Sequence, residues 1–345
     1  MGITNQEYFL LFLSSYLLVG LLTPLMRSIA IVTGVVDKPN TVHKSHKEPV
    51  PYLGGVAIII GVVLISYSTS LVSSFNFETF WLATSVLAPA LVLGLVGLWD
   101  DIKNLPPLPR FVAQTIAGVF IAITLVATEN VGNPTGSEIF DTVITIVWVV
   151  GICNSINFFD NLDGGAAGTV AVSSMALAIL ALSSNQSLIA AMSTVTVGAT
   201  LGFLIWNKSP ARIYMGDAGA LFLGVLLATL TIRLKPDTQT QLGSYFTPIL
   251  LLAVPILDTT VAVLSRIKRH VSPFQGGQDH LSHRLIRAGL SRRKSAVSLW
   301  ALSVLFAAVA IMIPLVSAQA EIWLVAGSAL FWVILFALFF KSKDA

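Results

Sequence analysis

Asp100 and Asp101 are adjacent carboxylates at the end of an apolar run, Gly97-Leu98-Trp99. At a membrane–water boundary such a pair repels itself unless a cation or proton intervenes. It therefore suits a divalent metal, or one ionised and one partly protonated acid. The plainer alternative, a helix end finished by hydrated acids, sets negative charge against the helix dipole. Asn154, Asn157 and Asp160 recur every three residues and so share one helix face, and Asp163 continues the row. Gly164-Gly165 then breaks the helix and admits a ligand to the backbone, while Phe158 and Phe159 are expected to face lipid. The competing role is a polar seam between helices, for which two carboxylates are a costly choice. Asp217, after Tyr214-Met215-Gly216, opens another apolar run, where helix cap and ligand are equally open. Tyr214 is either a stacking platform or an interfacial aromatic. His43, Lys44, His46 and Lys47 form one basic stretch; Asp279-His280-Leu281-Ser282-His283-Arg284 lies in another. The His280/His283 spacing fits phosphate contact as well as metal. Carboxylates for a cation, basic groups for phosphates and an aromatic together are what phosphoryl transfer needs. No Walker-type glycine loop is present, which argues against an ATP-driven machine.

The elements that must position these groups are membrane helices. Only 11% of the 345 residues are charged, 55% are hydrophobic, and mean hydropathy is +0.84. A soluble domain would carry about 25% charge. Apolar segments at 6–26, 53–73, 80–99, 111–128, 141–157, 164–183, 187–206, 217–233, 244–265, 295–317 and 321–340 are each about long enough to cross a ~30 Å hydrocarbon core. The expected fold is all-α: a polytopic integral membrane protein of about eleven transmembrane helices forming one domain over 1–345. The first segment follows Glu7 and precedes Arg27, the reverse of a cleavable signal peptide. With the N-terminus outside and the C-terminus cytoplasmic, all five His and all but two of the 20 Lys and Arg fall inside, the exceptions being Arg233 and Lys235. That bias sets the orientation and puts every acidic motif on the cytoplasmic face of the cell's plasma or inner membrane. The net charge of +3 thus records topology, and no nucleic-acid partner is expected. A single cysteine, Cys153, leaves no intrachain disulfide and no CxxC motif.

The ordered motifs Pro51-x-x-Gly-Gly, Gly-Leu-x-Asp-Asp, Asn154 to Asp163-Gly, Asn207 with Met-Gly-Asp-Ala-Gly, and Asp-His-x-x-His-Arg-Leu cover essentially the whole chain. In them the sequence resembles the polyprenyl-phosphate N-acetylhexosamine-1-phosphate transferases of glycosyltransferase family 4, most closely the undecaprenyl-phosphate N-acetylglucosamine-1-phosphate branch. The resemblance implies transfer of a sugar 1-phosphate from a UDP-N-acetylhexosamine to polyprenyl phosphate, with Mg²⁺ (or Mn²⁺) and release of UMP. Such a reaction opens cell-envelope polysaccharide synthesis, as in lipopolysaccharide or teichoic acid assembly. It implies catalytic roles for Asp100, Asp101, Asp160, His280 and His283, with Asp217 and Asp100 as metal ligands. Lys47, Asn154, Asn157, Asn161, Leu162, Asp163, Asn207, Tyr214 and Arg284 would bind substrate. Of these, Asp163 with Asn161 and Leu162 matches the uracil-contacting turn, and Tyr214 the aromatic that stacks on the base. Homodimers occur among relatives, although no motif here encodes one. Ser282 in place of a middle histidine, and Lys44 with His46 in the first basic stretch, favour the N-acetylglucosamine branch over phospho-MurNAc-pentapeptide transferase. A CDP-alcohol phosphotransferase ranks lower: Asp163-Gly164-Gly165-Ala166-Ala167 matches the start of its motif, but the later aspartates are missing. A lipid or solute transporter would place its charges near the bilayer midplane; here only Asp258, after Pro255, lies well inside a span.

Overall fold

The computed structural model describes residues 3–37, 50–72, 77–273 and 276–342. Lys47, and with it the basic stretch from His43, lies outside the described residues. Among the described residues the regular structure is helical apart from one two-residue pairing, Val36–Asp37 against Val50–Pro51. The long helices are α1 (Asn5–Thr33), α2 (Gly54–Val72), α3 (Phe77–Lys103), α4 (Pro107–Ala127), α5 (Glu138–Phe159), α6 (Gly165–Ser183), α7 (Ser187–Asn207) and α8 (Gly216–Arg233). After them come α9 (Gln241–Leu251), α10 (Ala253–Lys268), the short α11 (Leu281–Arg287), α12 (Arg292–Met312) and α13 (Ala318–Lys341).

Every expected apolar segment falls on a helix, so the all-α polytopic architecture stands. By length and composition, nine of the described helices can cross a membrane. The expected span 244–265 is a bent pair, α9 and α10, turning by 71° at Leu252, and would make a tenth. The apolar part of α2, Gly54–Ser68, is shorter.

Helix α8 is apolar on every side from Ala218 to Ile232, the pattern of a helix surrounded by protein. Of its apolar window 89% is buried, against 11% for α13. It packs against α2, α3 and α5, while α7 is flanked by α1 and α6. Two glycines set these distances. A Cβ on Gly55 would lie 2.2 Å from Gly219 N, and one on Gly97 would lie 2.3 Å from Asp217 O. Only glycine lets α2 and α3 approach the start of α8 so closely. The ends of α3, α5, α7 and α10 and the starts of α4, α8, α11 and α12 gather at one end of the bundle, and the charged motifs gather with them.

Candidate active site

Asp100 and Asp101 lie on the last turn of α3, a helix that outruns the expected span by four residues to Lys103. Being adjacent, they point in different directions and do different things. Asp101 directs Oδ1 at the backbone N–H of Asp217 (2.8 Å) and Oδ2 at that of Ala218 (3.0 Å), capping α8 from a neighbouring helix. The charge that opposes the dipole of α3 is thereby spent on the positive end of α8. Gly216 permits this at φ +71, since a Cβ there would strike the Asp101 carboxylate. The cap role left open for Asp217 is thereby taken by Asp101. The Asp217 side chain makes no cap; it accepts from Asn157 Nδ2 at Oδ1 (2.6 Å) and from Arg110 Nη1 at Oδ2 (2.7 Å).

The same Arg110 nitrogen donates to Asp100 Oδ2 at 2.6 Å, while Asp100 Oδ1 accepts from Leu105 N at 2.5 Å. These groups, with Tyr52, Asn104 and Asp160, line an open cleft of about 330 Å³. Burial, with the charges of Asp217 and Asp163, raises Asp160 to about 7, so this carboxyl exchanges its proton near neutrality. Burial raises Tyr52 well above the usual phenol range, with Asp101 and Asp217 adding to it, and Tyr214 is pushed up to about 12, chiefly by burial. The two rings sit 6.0 Å apart, with Tyr52 lining the cleft and Tyr214 packed beside it. Tyr214 is held by backbone bonds to Pro51 O and from Gly54 N, which docks the Pro51–Gly55 segment onto the loop before α8. A larger cavity, about 460 Å³, lies among α6, α7 and α12, but its lining is apolar and holds no titratable group.

Helix α5 ends at Phe159, so the expected polar row stops at Asp160. Asp163 is in the following turn, accepting from Ala211 N (3.2 Å) with Arg292 Nη1 at 3.7 Å. Asn154 faces α4 instead, donating to Gln114 Oε1 at 2.6 Å; for this residue the polar seam is correct. Asn207 is buried and accepts from Gly164 N (3.0 Å) while donating to Ile213 O (3.0 Å), pinning two loops together. Leu162 is also buried. Phe158 does not face lipid as expected: it packs under the Arg266 guanidinium and edge-on to His280, and Phe159 is buried in the core.

His280, His283 and Asn161 form a second polar cluster, none of whose members lines that cleft. His280 Nδ1 lies 2.7 Å from Asp258 Oδ2, and Leu281 N donates to Asp258 Oδ1 at 2.7 Å. Its Nε2 is 3.0 Å from Arg266 Nη2. A carboxylate at one ring nitrogen and a guanidinium at the other fix the ring plane and favour the Nδ1–H tautomer. Burial alone would raise Asp279, but the bidentate hydrogen bonds and charge of Arg266, with His280, hold it below the ordinary carboxylate range. His283 is lowered to about 4, first by burial and then by His280. Ser282 Oγ donates to Asn161 Oδ1, so the serine standing where a middle histidine was noted ties this loop to the end of α5.

Arg284 is a correction to the substrate-binding set. It is buried and spends its donors on structural acceptors: Asp279 O (2.9 Å), Ser265 Oγ (2.7 Å), and Phe339 O and Ser342 O (both 2.8 Å). Sequence reasoning missed Arg110 and Arg266, which read as ordinary loop charges, and it quoted Asp279 in the histidine motif without giving it a role. It noticed Asp258 as the lone acid inside a span without giving it a partner.

Comparison with known proteins places these motifs in company. The pattern described as "Glycosyl transferase family 4" matches residues 81–235. The chain is 35% identical to the probable undecaprenyl-phosphate N-acetylglucosaminyl 1-phosphate transferase of Bacillus subtilis (strain 168), over 96% of this chain and 89% of the relative. It is 31% identical to the decaprenyl-phosphate N-acetylglucosaminephosphotransferase of Mycolicibacterium smegmatis, over 87% and 80%. Similarity to the phospho-N-acetylmuramoyl-pentapeptide-transferase of Bacillus subtilis (strain 168) is 28%, over 91% and 96%.

Proposed function

The chain belongs to glycosyl transferase family 4, and on that premise we propose that it transfers N-acetylglucosamine 1-phosphate, or a closely related N-acetylhexosamine 1-phosphate, from a UDP-sugar to a polyprenyl phosphate, releasing UMP. The observation that carries this reading is the anchored Asp217, held by Asn157 and Arg110 in a cleft shared with Asp100 and Asp160. The higher identity to N-acetylglucosamine 1-phosphate enzymes than to a pentapeptide enzyme supports the choice of sugar.

The donor set fits a hard divalent cation. Asp100 Oδ2 and Asp217 Oδ2 are aimed at one position, and a guanidinium nitrogen, itself cationic, fills it. No three His, Cys, Asp or Glu among the described residues form a metal cage. This suits Mg²⁺, which is usually held by one or two carboxylates together with water and substrate phosphate. Asp217 and Asp100 would hold Mg²⁺, with Mn²⁺ as a substitute; when bound it supplies charge neutralisation at the diphosphate.

The remaining work falls to the chain's own side chains. Asp100 takes the proton from the polyprenyl phosphate. The freed phosphate oxygen then bonds to the β-phosphorus of the donor. The bond from that phosphorus to the bridging oxygen breaks, and UMP leaves with the oxygen and its electron pair. His283 contacts the phosphates, while His280, with both ring nitrogens engaged by Asp258 and Arg266, positions the loop that carries it, and Tyr214 with the Asn161–Asp163 turn orients the uracil. The charge bias of the loops supports a cytoplasmic cleft, where a water-soluble donor meets a lipid acceptor from the inner leaflet.

The test is UMP release by the purified protein with polyprenyl phosphate and Mg²⁺, running UDP-GlcNAc, UDP-GalNAc and UDP-MurNAc-pentapeptide in parallel. UDP-GlcNAc is expected to be the preferred donor, and Asp217→Ala to lose at least about a hundredfold in rate while remaining folded. Preference for the pentapeptide donor would select the second reading. Silence with every donor in folded protein would remove the transferase reading.

A further inference from the structure

One nitrogen does two jobs in the cleft. Arg110, in the first turn of α4, places Nη1 2.6 Å from Asp100 Oδ2 and 2.7 Å from Asp217 Oδ2. Among the described residues it is the only cation in ion-pair contact with either carboxylate. These are the two groups assigned above to the metal, and the inference rests on that assignment. We infer that Arg110 is a built-in counter-cation: it holds the seat of the divalent ion while the ion is away, and swings out as the ion enters. Metal binding to this protein is therefore an exchange of one cation for another.

Three features support the exchange. First, Mg²⁺ binds carboxylate oxygens at about 2.1 Å, closer than either guanidinium contact, so ion and guanidinium cannot share the position. Second, both carboxylates are anchored independently of Arg110. Asp100 Oδ1 accepts from Leu105 N, and Asp217 Oδ1 accepts from Asn157 Nδ2. When Arg110 leaves, the two Oδ2 atoms stay aimed at the common position and are available to the ion. Third, the Arg110 side chain is 26% exposed, close to Asp217 at 28% and well above Asp100 at 6%, so the arm has a way out into the cleft. Two bare carboxylates would repel one another, and a resident guanidinium keeps the site assembled between turnovers.

Because the ion must displace a competitor, its apparent affinity is weaker than the bare carboxylates would give. The experiment is Mn²⁺ binding to the full-length protein in detergent, stripped with chelator, read from the electron paramagnetic resonance signal of free Mn²⁺. Arg110→Gln is expected to bind Mn²⁺ roughly twofold to fivefold more tightly than wild type, the factor carried by a partly exposed ion pair. The chelated variant should melt at a lower temperature than chelated wild type, a gap that saturating Mn²⁺ closes. Equal or weaker Mn²⁺ affinity in folded Arg110→Gln overturns the exchange while leaving the metal assignment standing. Asp217→Asn is the control for that assignment: binding as tight as wild type there would remove the metal seat itself. Should Arg110→Gln not survive extraction, Arg110→Lys carries the test. A single ammonium reaching one carboxylate should still raise affinity about twofold, and an unchanged or weaker affinity overturns the proposal.

Discussion

At the scale of residues, two identical neighbours have separate duties. Asp100 faces the cleft and its cation; Asp101 gives both oxygens to the start of α8. Asp100→Asn should therefore keep its melting temperature and lose about a hundredfold or more in UMP release. Asp101→Asn should do the reverse: a fall of about one to two degrees, the scale of losing a helix cap worth about 1 kcal/mol in a chain of this length, with measurable turnover retained. Differential scanning fluorimetry beside the UMP assay separates the two, and identical profiles would refute the division. His283 gives a pH dependence. Burial and His280 hold it at about 4, whereas an unfolded imidazole titrates near ~6.5. Between those values the unfolded chain binds more protons, so stability falls as pH drops from 7 toward 4. Melts at pH 7 and pH 5 should show this loss, and His283→Asn should shrink it.

Elements decide which of these residues meet. The close approach at Gly97 brings the end of α3 onto the start of α8, so Asp101 can cap it and Asp100 can share a cation with Asp217. Gly97→Ala, with a Cβ 2.3 Å from Asp217 O, should lower the melting temperature and the turnover together, unlike either aspartate variant. A Gly97→Ala protein with wild-type values for both would show that the helices can part without harm. Much of this was legible in the sequence. Hydropathy marked the helices, loop charge gathered the motifs on one face, and the three-residue spacing put Asn157 and Asp160 on one side of α5. What periodicity could not supply was where each helix stops. The row from Asn154 fails because α5 ends at Phe159 and because Asn154 already looks toward Gln114. Arg110 was invisible for a similar reason. Read as a loop cation, it belongs to the first turn of α4, started by Pro107, and that turn aims it back at Asp100 and Asp217. Asp258 was a visible anomaly, but its partner His280 stands just before α11, 22 residues later. No local pattern announces such a pairing.

On the scale of the whole molecule, the charge asymmetry is a statement about sides. Cys153, the sole cysteine, is buried, so single introduced cysteines report cleanly. Lys103→Cys and Lys294→Cys should react with an impermeant maleimide only from the cytoplasmic side, and Glu129→Cys only from the other. The opposite labelling pattern would invert the topology and remove the cytoplasmic donor site with it. The last helix, α13, is the least enclosed of the spans, and at its far end Arg284 grips the carbonyl oxygens of Phe339 and Ser342. The grip is made mostly to main chain, with Ser342 Oγ as its one side-chain acceptor there (3.1 Å), and is therefore nearly blind to which side chains the rest of the helix carries. Over evolutionary time the lipid-facing surface of α13 can be rewritten to suit a different membrane at little cost to the histidine loop. What selection must preserve there is reach: a helix long enough to deliver those two oxygens to Arg284.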